Sequence, residues 1–409
     1  MARAGSLSAA AAHPGLPRLL GAQVPADFAD WLDFVAVGAL LAFTWQQGPM
    51  AFALLAAAMG LPYVLIGPFA GALTDRADLK RVLVFSNLGR AAATFAAAFA
   101  PDTTVLLLIV FARGCADAFY TPAKQAAIQA LVPPPDLMAA NGISHAINQT
   151  SKVAGPALGG LLLLFLVPQE ILLANAAVSL LAAGMLLGLR RRLRSATPSR
   201  EPRSLFGDVR EGLGEFSAKP ALLSGLVLMA LGYFFLFLYD ALIPLLTLAL
   251  RYDESVFGLA VAAAGGGGVL ASLAVGAAGA RRSPFALMGL GYLISGPLAI
   301  LLGFAPGAAF DLPWPAFIGV FAVLGAATAA VVVPFRTIIQ REAGTERIAR
   351  VSATCEAVTV SVMLVAPFIG AAVAEFYSVG AAFIVGGLAL TLLAIAAFLA
   401  ARRRGELDP

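Results

Sequence analysis

Seven ionisable residues lie inside long apolar stretches of the chain, where a charge is costly to keep. They are Asp33, Arg90, Arg113, Asp117, Lys152, Asp240 and Glu356. A charged side chain at the centre of a membrane costs at least about 2.5 kcal/mol, so such residues are functional candidates by default. Burial raises the proton affinity of a carboxylate, and a neighbouring arginine lowers it again. We therefore expect this set to supply substrate-contacting or proton-coupling residues.

Several pairings are open within this set. Arg113 and Asp117 are four residues apart and can neutralise each other along one helix. Asp33 can pair with Arg90 or with Arg113, and a switch in its protonation can couple a proton gradient to movement of the chain. Lys152 is an alternative counter-charge for Asp33 or for Asp117.

The elements that carry these residues are predicted to be membrane-spanning helices. Hydrophobic residues make up 60% of the sequence and charged residues 12%, whereas soluble domains are about half apolar and about a quarter charged. A spanning helix needs about 20 mostly apolar residues. Breaks at charged, proline-rich or glycine-rich positions divide the chain into twelve such spans. Their predicted ranges are 26–46, 50–73, 80–100, 102–124, 140–166, 170–189, 220–249, 256–279, 284–304, 314–335, 349–374 and 378–401.

The basic residues predict which side of the membrane each loop faces. Of the 27 lysine and arginine residues, 23 fall in the tails and in one set of loops, and one, Arg251, falls in the opposite set. Basic residues accumulate on the cytoplasmic side, so both termini are predicted to be cytoplasmic. The basicity thus reflects topology and not a nucleic-acid surface. Asp27 and Asp30, at the inner start of the first span, are expected to be solvated.

A long polar break divides the spans into two groups of six. The predicted organisation is a cytoplasmic tail, a six-helix bundle, a cytoplasmic linker, a second six-helix bundle and a short cytoplasmic tail. Their ranges are 1–25, 26–189, 190–219, 220–401 and 402–409. In the linker, Leu205, Val209, Leu213 and Phe216 recur at helical spacing, which favours an amphipathic helix on the membrane surface.

The two groups of six spans repeat one another. Pro122 and Pro334 are 212 residues apart, and each precedes a basic residue by two positions. The segment KVAGPALGG at 152–160 matches MLVAPFIGA at 363–371 with an offset of 211, and GALTDR at 71–76 matches GAAGAR at 276–281 with an offset of 205. Nearly constant offsets in the same order predict two copies of one six-helix unit.

Two of these segments resemble motifs of the major facilitator superfamily, and the resemblance covers essentially the whole chain. GALTDRADLKR at 71–81 resembles the loop between the second and third helices, matching at Gly71, Asp75, Arg76 and Lys80 and departing at Asp78 and Leu79. The fifth span resembles the motif of the drug–proton antiporters. It matches at Gly155, Pro156, Gly159 and Gly160, while Ser151 replaces the first glycine.

The resemblance implies an all-α membrane protein of twelve transmembrane helices in two pseudo-symmetric six-helix bundles. It implies a secondary active transporter that works by rocking these bundles, in a bacterial-type inner or plasma membrane. The run after Arg113 resembles the macrolide- and siderophore-exporter branch, which favours proton-coupled export of an amphipathic or hydrophobic compound. The lysophospholipid-transporter branch shares the elements at 122–124 and 140–142, so a lysophospholipid flippase is the alternative.

The resemblance also assigns roles to individual residues. The loop motif, with Asp75 facing the start of the eleventh span, is expected to act as a cytoplasmic gate. Arg113 is expected to point towards the centre, where the first and fourth helices face each other. Asp33 is expected to act as a proton-coupling residue on the physical argument given above. The expected partners are a small-molecule or lipid-like substrate, protons and membrane lipids, and the protein is expected to be a monomer.

The sequence lacks the signatures of several other functional classes. It contains no nucleotide-binding loop, zinc pattern or nucleophile elbow, so no enzymatic activity, metal or cofactor is predicted. Cys115 and Cys355 fall in apolar runs and are expected to be packing residues.

Overall fold

A computed structural model describes residues 13–189, 193, 216, 219–278, 283–307, 312–343 and 348–404. These residues form helices joined by short turns, without a β-strand. The α-helices in chain order are α1 (Leu16–Ala39), α2 (Pro49–Arg76), α3 (Leu79–Ala97), α4 (Thr103–Asp117), α5 (Tyr120–Leu131), α6 (Leu137–Leu162), α7 (Pro168–Leu187), α8 (Pro220–Asp240), α9 (Ile243–Ala249), α10 (Glu254–Ala278), α11 (Pro284–Phe304), α12 (Trp314–Ala343), α13 (Ile348–Phe376) and α14 (Val379–Arg403).

The helices agree with the predicted all-α membrane fold. Each predicted span coincides with one helix or with two consecutive ones. Nine helical segments among the described residues are long and apolar enough to cross a membrane. Of the others, α1, α3 and α6 carry several charged or amide side chains within their length, which lowers their apolarity. The number of twelve crossings therefore stays a prediction.

The first helix begins earlier than the sequence suggested. It starts at Leu16, whereas the predicted cytoplasmic tail extended to residue 25. Leu16 and Leu19 are fully buried in an apolar core with residues of α3, α5 and α7. Proline occupies the first turn, where its missing N–H costs nothing. As a result, Asp27 lies about three turns inside the helix and not at its start.

Prolines break two of the predicted spans. Pro122 has no N–H to donate to the carbonyl of Ala118 and its ring clashes there, so α4 ends at Asp117 and α5 begins at Tyr120. Pro244 has the same effect on the carbonyl of Asp240, the last residue of α8. The sequence predicted single spans over 102–124 and 220–249, and the first also continues to Leu131.

The chain divides into two compact units. Unit 1 comprises Met1–Leu40 and Ala57–Pro202, and unit 2 comprises Leu41–Ala56 and Arg203–Pro409. The boundary after Pro202 falls inside the predicted linker. The segment Leu41–Ala56, which includes the connection between α1 and α2, is assigned to unit 2. Most of the predicted amphipathic helix, including Leu205, Val209 and Leu213, lies outside the described residues; Phe216 is buried.

Each unit repeats the same pattern of helix packing. In unit 1, α1 packs on α6 and α7, and α3 packs on α4 and α7. In unit 2, α8 packs on α13 and α14, and α11 packs on α12 and α14. These pairs correspond under the predicted internal repeat. The backbone repeats as well, because Gln46 and Arg251, 205 residues apart, both adopt positive φ angles, of 49° and 62°.

Glycines at matching positions allow the closest helix contacts. A Cβ added at Gly159 of α6 would lie 3.1 Å from the Cβ of Val35 in α1. Its counterpart Gly370 of α13 approaches α8 still more closely, so an added Cβ would overlap the carbonyl oxygen of Leu238. The glycine run of α10 has the same function, since Gly267 lies against the backbone of Ala322 in α12.

Gly325 in α12 provides a test of this packing. A Cβ at this position would overlap the carbonyl oxygen of Ala264 in α10. We expect Gly325→Ala to lower the free energy of unfolding by about 1–3 kcal/mol, the range for overpacked cores. Gly319→Ala is the control, because nothing lies within 4 Å of an added Cβ in the same helix. Thermal unfolding in detergent measures both, and equal midpoints would contradict the packing argument.

Candidate functional site

Three aspartates of α1 form the base of a polar cluster inside unit 1. Asp27, Asp30 and Asp33 are three residues apart, a spacing that keeps them on neighbouring positions of one helix surface. Three basic residues from neighbouring helices contact them: Arg90 of α3, Arg113 of α4 and Lys124 of α5.

Five of the charges alternate in sign along a continuous series of ion pairs. The order is Asp117, Arg90, Asp30, Arg113, Asp33, and we call this series the charge chain. Arg90 Nη1 lies 3.1 Å from Asp117 Oδ1, and Arg90 also pairs with Asp30. Arg113 Nη2 donates to the same Asp30 Oδ1 at 2.7 Å, and Arg113 Nε pairs with Asp33. Asp30 is thus shared by both arginines.

Neutral hydrogen-bond donors hold the two ends of the charge chain. The Tyr63 hydroxyl, from α2, donates to Asp117. At the other end, Thr94 Oγ1 donates to Asp33 Oδ2 at 3.1 Å. Asn175 Nδ2, from α7, donates to Asp33 Oδ1 at 2.6 Å and to the carbonyl oxygen of Ala29 at 2.7 Å.

Solvent reaches only part of the charge chain. The side chain of Asp30 is 30% exposed, against 6% for both Asp33 and Asp117, and Arg90 is completely buried. Tyr63 is exposed to 43% although its hydroxyl contacts the buried Asp117. Asp30 is therefore the most accessible carboxylate of the charge chain.

A second ion pair lies beside the charge chain. Lys124 Nζ is 3.6 Å from Asp27 Oδ1, and Asp27 also accepts hydrogen bonds from Gln23 at 2.8 Å and Asn148 at 3.2 Å. The ring of Tyr120 lies between the two groups, 5.2 Å from Lys124 Nζ and 5.4 Å from Arg90 Cζ. Such cation–π contacts stabilise buried cations.

Close helix contacts bring these side chains together. A Cβ added at Gly114 of α4 would lie 2.7 Å from Pro62 Cγ, so α2 approaches α4 next to Tyr63. In the antiporter-like segment of α6, a Cβ at Gly155 would lie 2.5 Å from Trp31 Cβ, beside Asp30. Pro156 lies inside α6, and Gly159 and Gly160 are buried.

The structure corrects several of the predicted contacts. Arg113 pairs with Asp30 and Asp33 of α1, so the pair with Asp117 along one helix is wrong. The expectation that Asp27 is solvated is also wrong, because the earlier start of α1 moves it into the bundle, whereas Asp30 is half-buried. Lys124, the last residue of the predicted span 102–124, is buried, because α5 continues past it.

The other candidate residues lie outside this cluster or outside the described side chains. Lys152 is exposed on α6. Asp240 is half-buried at the end of α8. Glu356 lies within α13, but its side chain is outside the described part of the structure.

The charged loop at 71–81 contacts its own unit. Asp78 accepts a hydrogen bond from the backbone N–H of Lys80 at 3.0 Å and caps α3. Lys80 Nζ donates to the carbonyl oxygens of Leu187 at 2.6 Å and Leu189 at 3.2 Å, at the end of α7. A lysine there complements the negative end of the helix dipole.

The remaining motif residues do not test the gate. Arg76 is exposed at the end of α2, and Gly71 is half-buried with open space around it. The side chain of Asp75 lies outside the described part of the structure. The gate function of the loop therefore stays a prediction.

The neutral donors to the charge chain, Tyr63, Thr94 and Asn175, were not among the residues predicted from the sequence. The cost of burying a charge singles out ionisable residues, and these side chains are neutral. Their polar groups inside apolar spans could have identified them as site residues, since polar side chains in membrane helices hydrogen-bond across helices.

Arg90 offers a test of how the cluster balances its charge. Arg90→Met leaves Asp30 and Asp117 without a shared cation, and breaking a buried ion pair costs about 3–5 kcal/mol. We expect Arg90→Met/Asp117→Asn to recover a large part of that loss. The exposed Arg81→Met is the control, expected within about 0.5 kcal/mol of the parent protein. Equal unfolding midpoints for the single and double variants would contradict the pairing.

Comparison with known proteins identifies the class. Residues 19–354 match the family model of the Major Facilitator Superfamily. An uncharacterized MFS-type transporter of Bacillus subtilis, YfiS, is 28% identical over 93% of this chain and 92% of its own length. Macrolide efflux protein A of Enterococcus faecalis is 28% identical over 46% of this chain and 60% of its own length.

A solved structure shows the same fold. An inward-facing bacterial homologue of the human lysosomal transporter Spinster superposes with a TM-score of 0.71 at 16% identity, over 97% of this chain and 99% of the other. The matched family model covers most of the chain, including the whole charge chain. The chain therefore belongs to the major facilitator superfamily, a family of multi-pass membrane transporters.

Proposed function

We propose that the protein is a proton-coupled secondary transporter that exports an amphipathic or hydrophobic organic compound by alternating access. The observation that carries this proposal is the charge chain, in which three carboxylates share two guanidinium groups. Export and the substrate class rest on the similarity to macrolide efflux protein A and on the antiporter-like segment of α6.

The charge chain has one negative charge in excess when every group is ionised. Among the described residues, the ion pairs of Asp117, Asp30 and Asp33 are with Arg90 and Arg113, while Asp27 pairs with Lys124. An unbalanced charge is expensive in a low-dielectric environment. Binding one proton removes the excess, so the site favours proton uptake whenever it opens to an acidic compartment.

Asp30 is the carboxylate best placed to take that proton. It is the central and most exposed member of the charge chain. With Asp30 neutral, the charge chain separates into two balanced ion pairs, Arg90 with Asp117 and Arg113 with Asp33. A single proton thereby converts five coupled charges into two independent pairs.

The proton also changes which helices are held together. Ionised Asp30 connects α1 to α3 through Arg90 and to α4 through Arg113. After protonation, the ionic connection to α4 persists through Asp33, while the one to α3 is reduced to the hydrogen bonds from Arg90 to the carbonyl oxygen of Ala26 and from Thr94 to Asp33. A proton that loosens α1 from α3 favours one arrangement of the bundle over another, which is the differential interaction that a coupled transporter requires.

Asp30→Asn tests the coupling. The amide is neutral at every pH, so we expect substrate-dependent proton flux in proteoliposomes to fall to background while substrate binding is retained. A thermal-shift screen of macrolides, siderophores and lysophospholipids on purified protein supplies the substrate. Glu375→Gln is the control, because Glu375 is exposed on α13, and it is expected to behave like the parent protein.

Two outcomes would contradict the proposal. Proton flux that persists unchanged in Asp30→Asn, as in Glu375→Gln, would exclude coupling through the charge chain. Transfer of labelled lysophospholipid across the bilayer without a pH gradient, together with no response to macrolides, would favour the lysophospholipid flippase.

Asp33→Asn should also lose coupling, because removing any one of the three carboxylates removes the excess charge.

A further inference from the structure

We propose that Tyr63 and Asn175 are positioning residues that direct the coupling proton to Asp30 by keeping the two end carboxylates ionised. This inference rests on the proposed function and specifies which atom carries the proton. Charge balance alone does not determine which carboxylate carries the proton, since a proton on Asp117, Asp30 or Asp33 neutralises the charge chain equally well.

The two end carboxylates have donors that the central one lacks. Asp117 accepts from the Tyr63 hydroxyl, and Asp33 accepts from Thr94 and Asn175. In the described residues, the hydrogen bonds to Asp30 come from Arg90 and Arg113, and each arginine has a second carboxylate. Protonating an end would weaken a charge-assisted hydrogen bond from a neutral donor. Protonating Asp30 leaves those bonds intact and weakens the bonds from Arg90 and Arg113, each of which keeps its second carboxylate.

The orientation of Asn175 is fixed by its surroundings. Its Nδ2 group faces two oxygen acceptors, Asp33 Oδ1 and the carbonyl of Ala29, one turn apart on α1. A reversed amide would place Oδ1 against both oxygens. Asn175 is fully buried, so it stays a donor to Asp33 and favours the ionised form.

Tyr63 is held in a comparable way. Its neighbour Pro62 packs against Gly114 of α4, three residues before Asp117. The hydroxyl of Tyr63 contacts Asp117, and the residue as a whole is 43% exposed. Tyr63 therefore covers one end carboxylate and leaves the central one open.

Other titratable groups around Asp30 do not replace these donors. The described charged and titratable side chains of the surrounding helices fall into two groups. Those of the cluster are Asp27 and Asp33 on α1, Tyr63 on α2, Arg90 on α3, Arg113 and Asp117 on α4, and Tyr120 and Lys124 on α5. The others are Arg18 on α1, Arg76 on α2, Lys80 and Arg81 on α3, Cys115 on α4, the exposed His145 and Lys152 on α6, and the exposed Glu170 on α7. Lys124 pairs with Asp27, which leaves Arg90 and Arg113 as the cations bound to Asp30.

The expected effect concerns the location of the proton more than its affinity. Losing a hydrogen bond to a charged group changes the ratio of proton occupancy between two carboxylates by roughly tenfold or more. If two positions then share the proton equally, the overall proton affinity rises only about twofold. The experiment must therefore identify the protonated residue.

Infrared difference spectroscopy between high and low pH makes that identification. Protein labelled with [4-13C]aspartate shifts the carbonyl band of every protonated aspartic acid. An unlabelled glutamate at position 30, 117 or 33, introduced as Asp30→Glu, Asp117→Glu or Asp33→Glu, then gives an unshifted band when that position is protonated. We expect the new band only from position 30 in the otherwise unchanged protein.

Removing one of the neutral donors should make a second position give the unshifted band. In Tyr63→Phe we expect the unshifted band also from position 117, and in Asn175→Leu or Thr94→Val also from position 33. Tyr292→Phe is the matched control: its hydroxyl donates to a carbonyl in unit 2, at 2.7 Å from Leu228 O, and its loss should leave the proton at position 30.

The outcomes separate this inference from the proposed function. A band that stays at position 30 alone in Tyr63→Phe, Asn175→Leu and Thr94→Val would overturn the positioning function and leave proton coupling intact. A parent protein in which none of the three positions becomes protonated would overturn the proposed function, and this inference with it.

Discussion

The shared carboxylate Asp30 is the constraint on which the organisation of unit 1 depends. Two arginines, Arg90 and Arg113, contact the same oxygen and reach outward to Asp117 and Asp33. Because both arginines are buried, their charges must be met by carboxylates within the bundle. The five charges of the charge chain cannot balance one another, which is why we propose that the site takes up an external cation. The proton is the smallest candidate.

The helix architecture serves this arrangement at specific residues. The break imposed by Pro122 places Asp117 at the last residue of α4, and the continuation into α5 carries Tyr120 and Lys124 to the same cluster. The contacts at Gly114 and Gly155 bring α2 and α6 close enough to enclose it. The contacts at Gly114 and Gly155 depend on the absence of a side chain in glycine, and the break at Pro122 depends on the absence of an N–H in proline.

The sequence predicted most of the fold and about half of the site. Apolar length located the spans, and the cost of membrane charge selected Asp33, Arg90, Arg113 and Asp117. Asp30 was misplaced because its depth depends on where α1 begins, and Leu16 and Leu19 looked like part of a polar tail. The neutral donors were missed because pairing across helices is a property of the folded bundle and not of one segment.

The internal repeat shows where the two copies have diverged. Gly159 and Gly370 preserve the same close approach between corresponding helices. With the offset of 212 defined by Pro122 and Pro334, Arg113 and Asp117 of unit 1 correspond to Gly325 and Ala329 of unit 2. At Gly325 the backbone of α12 lies against Ala264, which leaves no space for a guanidinium group. One copy thus uses the position for a buried charge and the other for helix packing, which supports a division of labour in which unit 1 handles the proton.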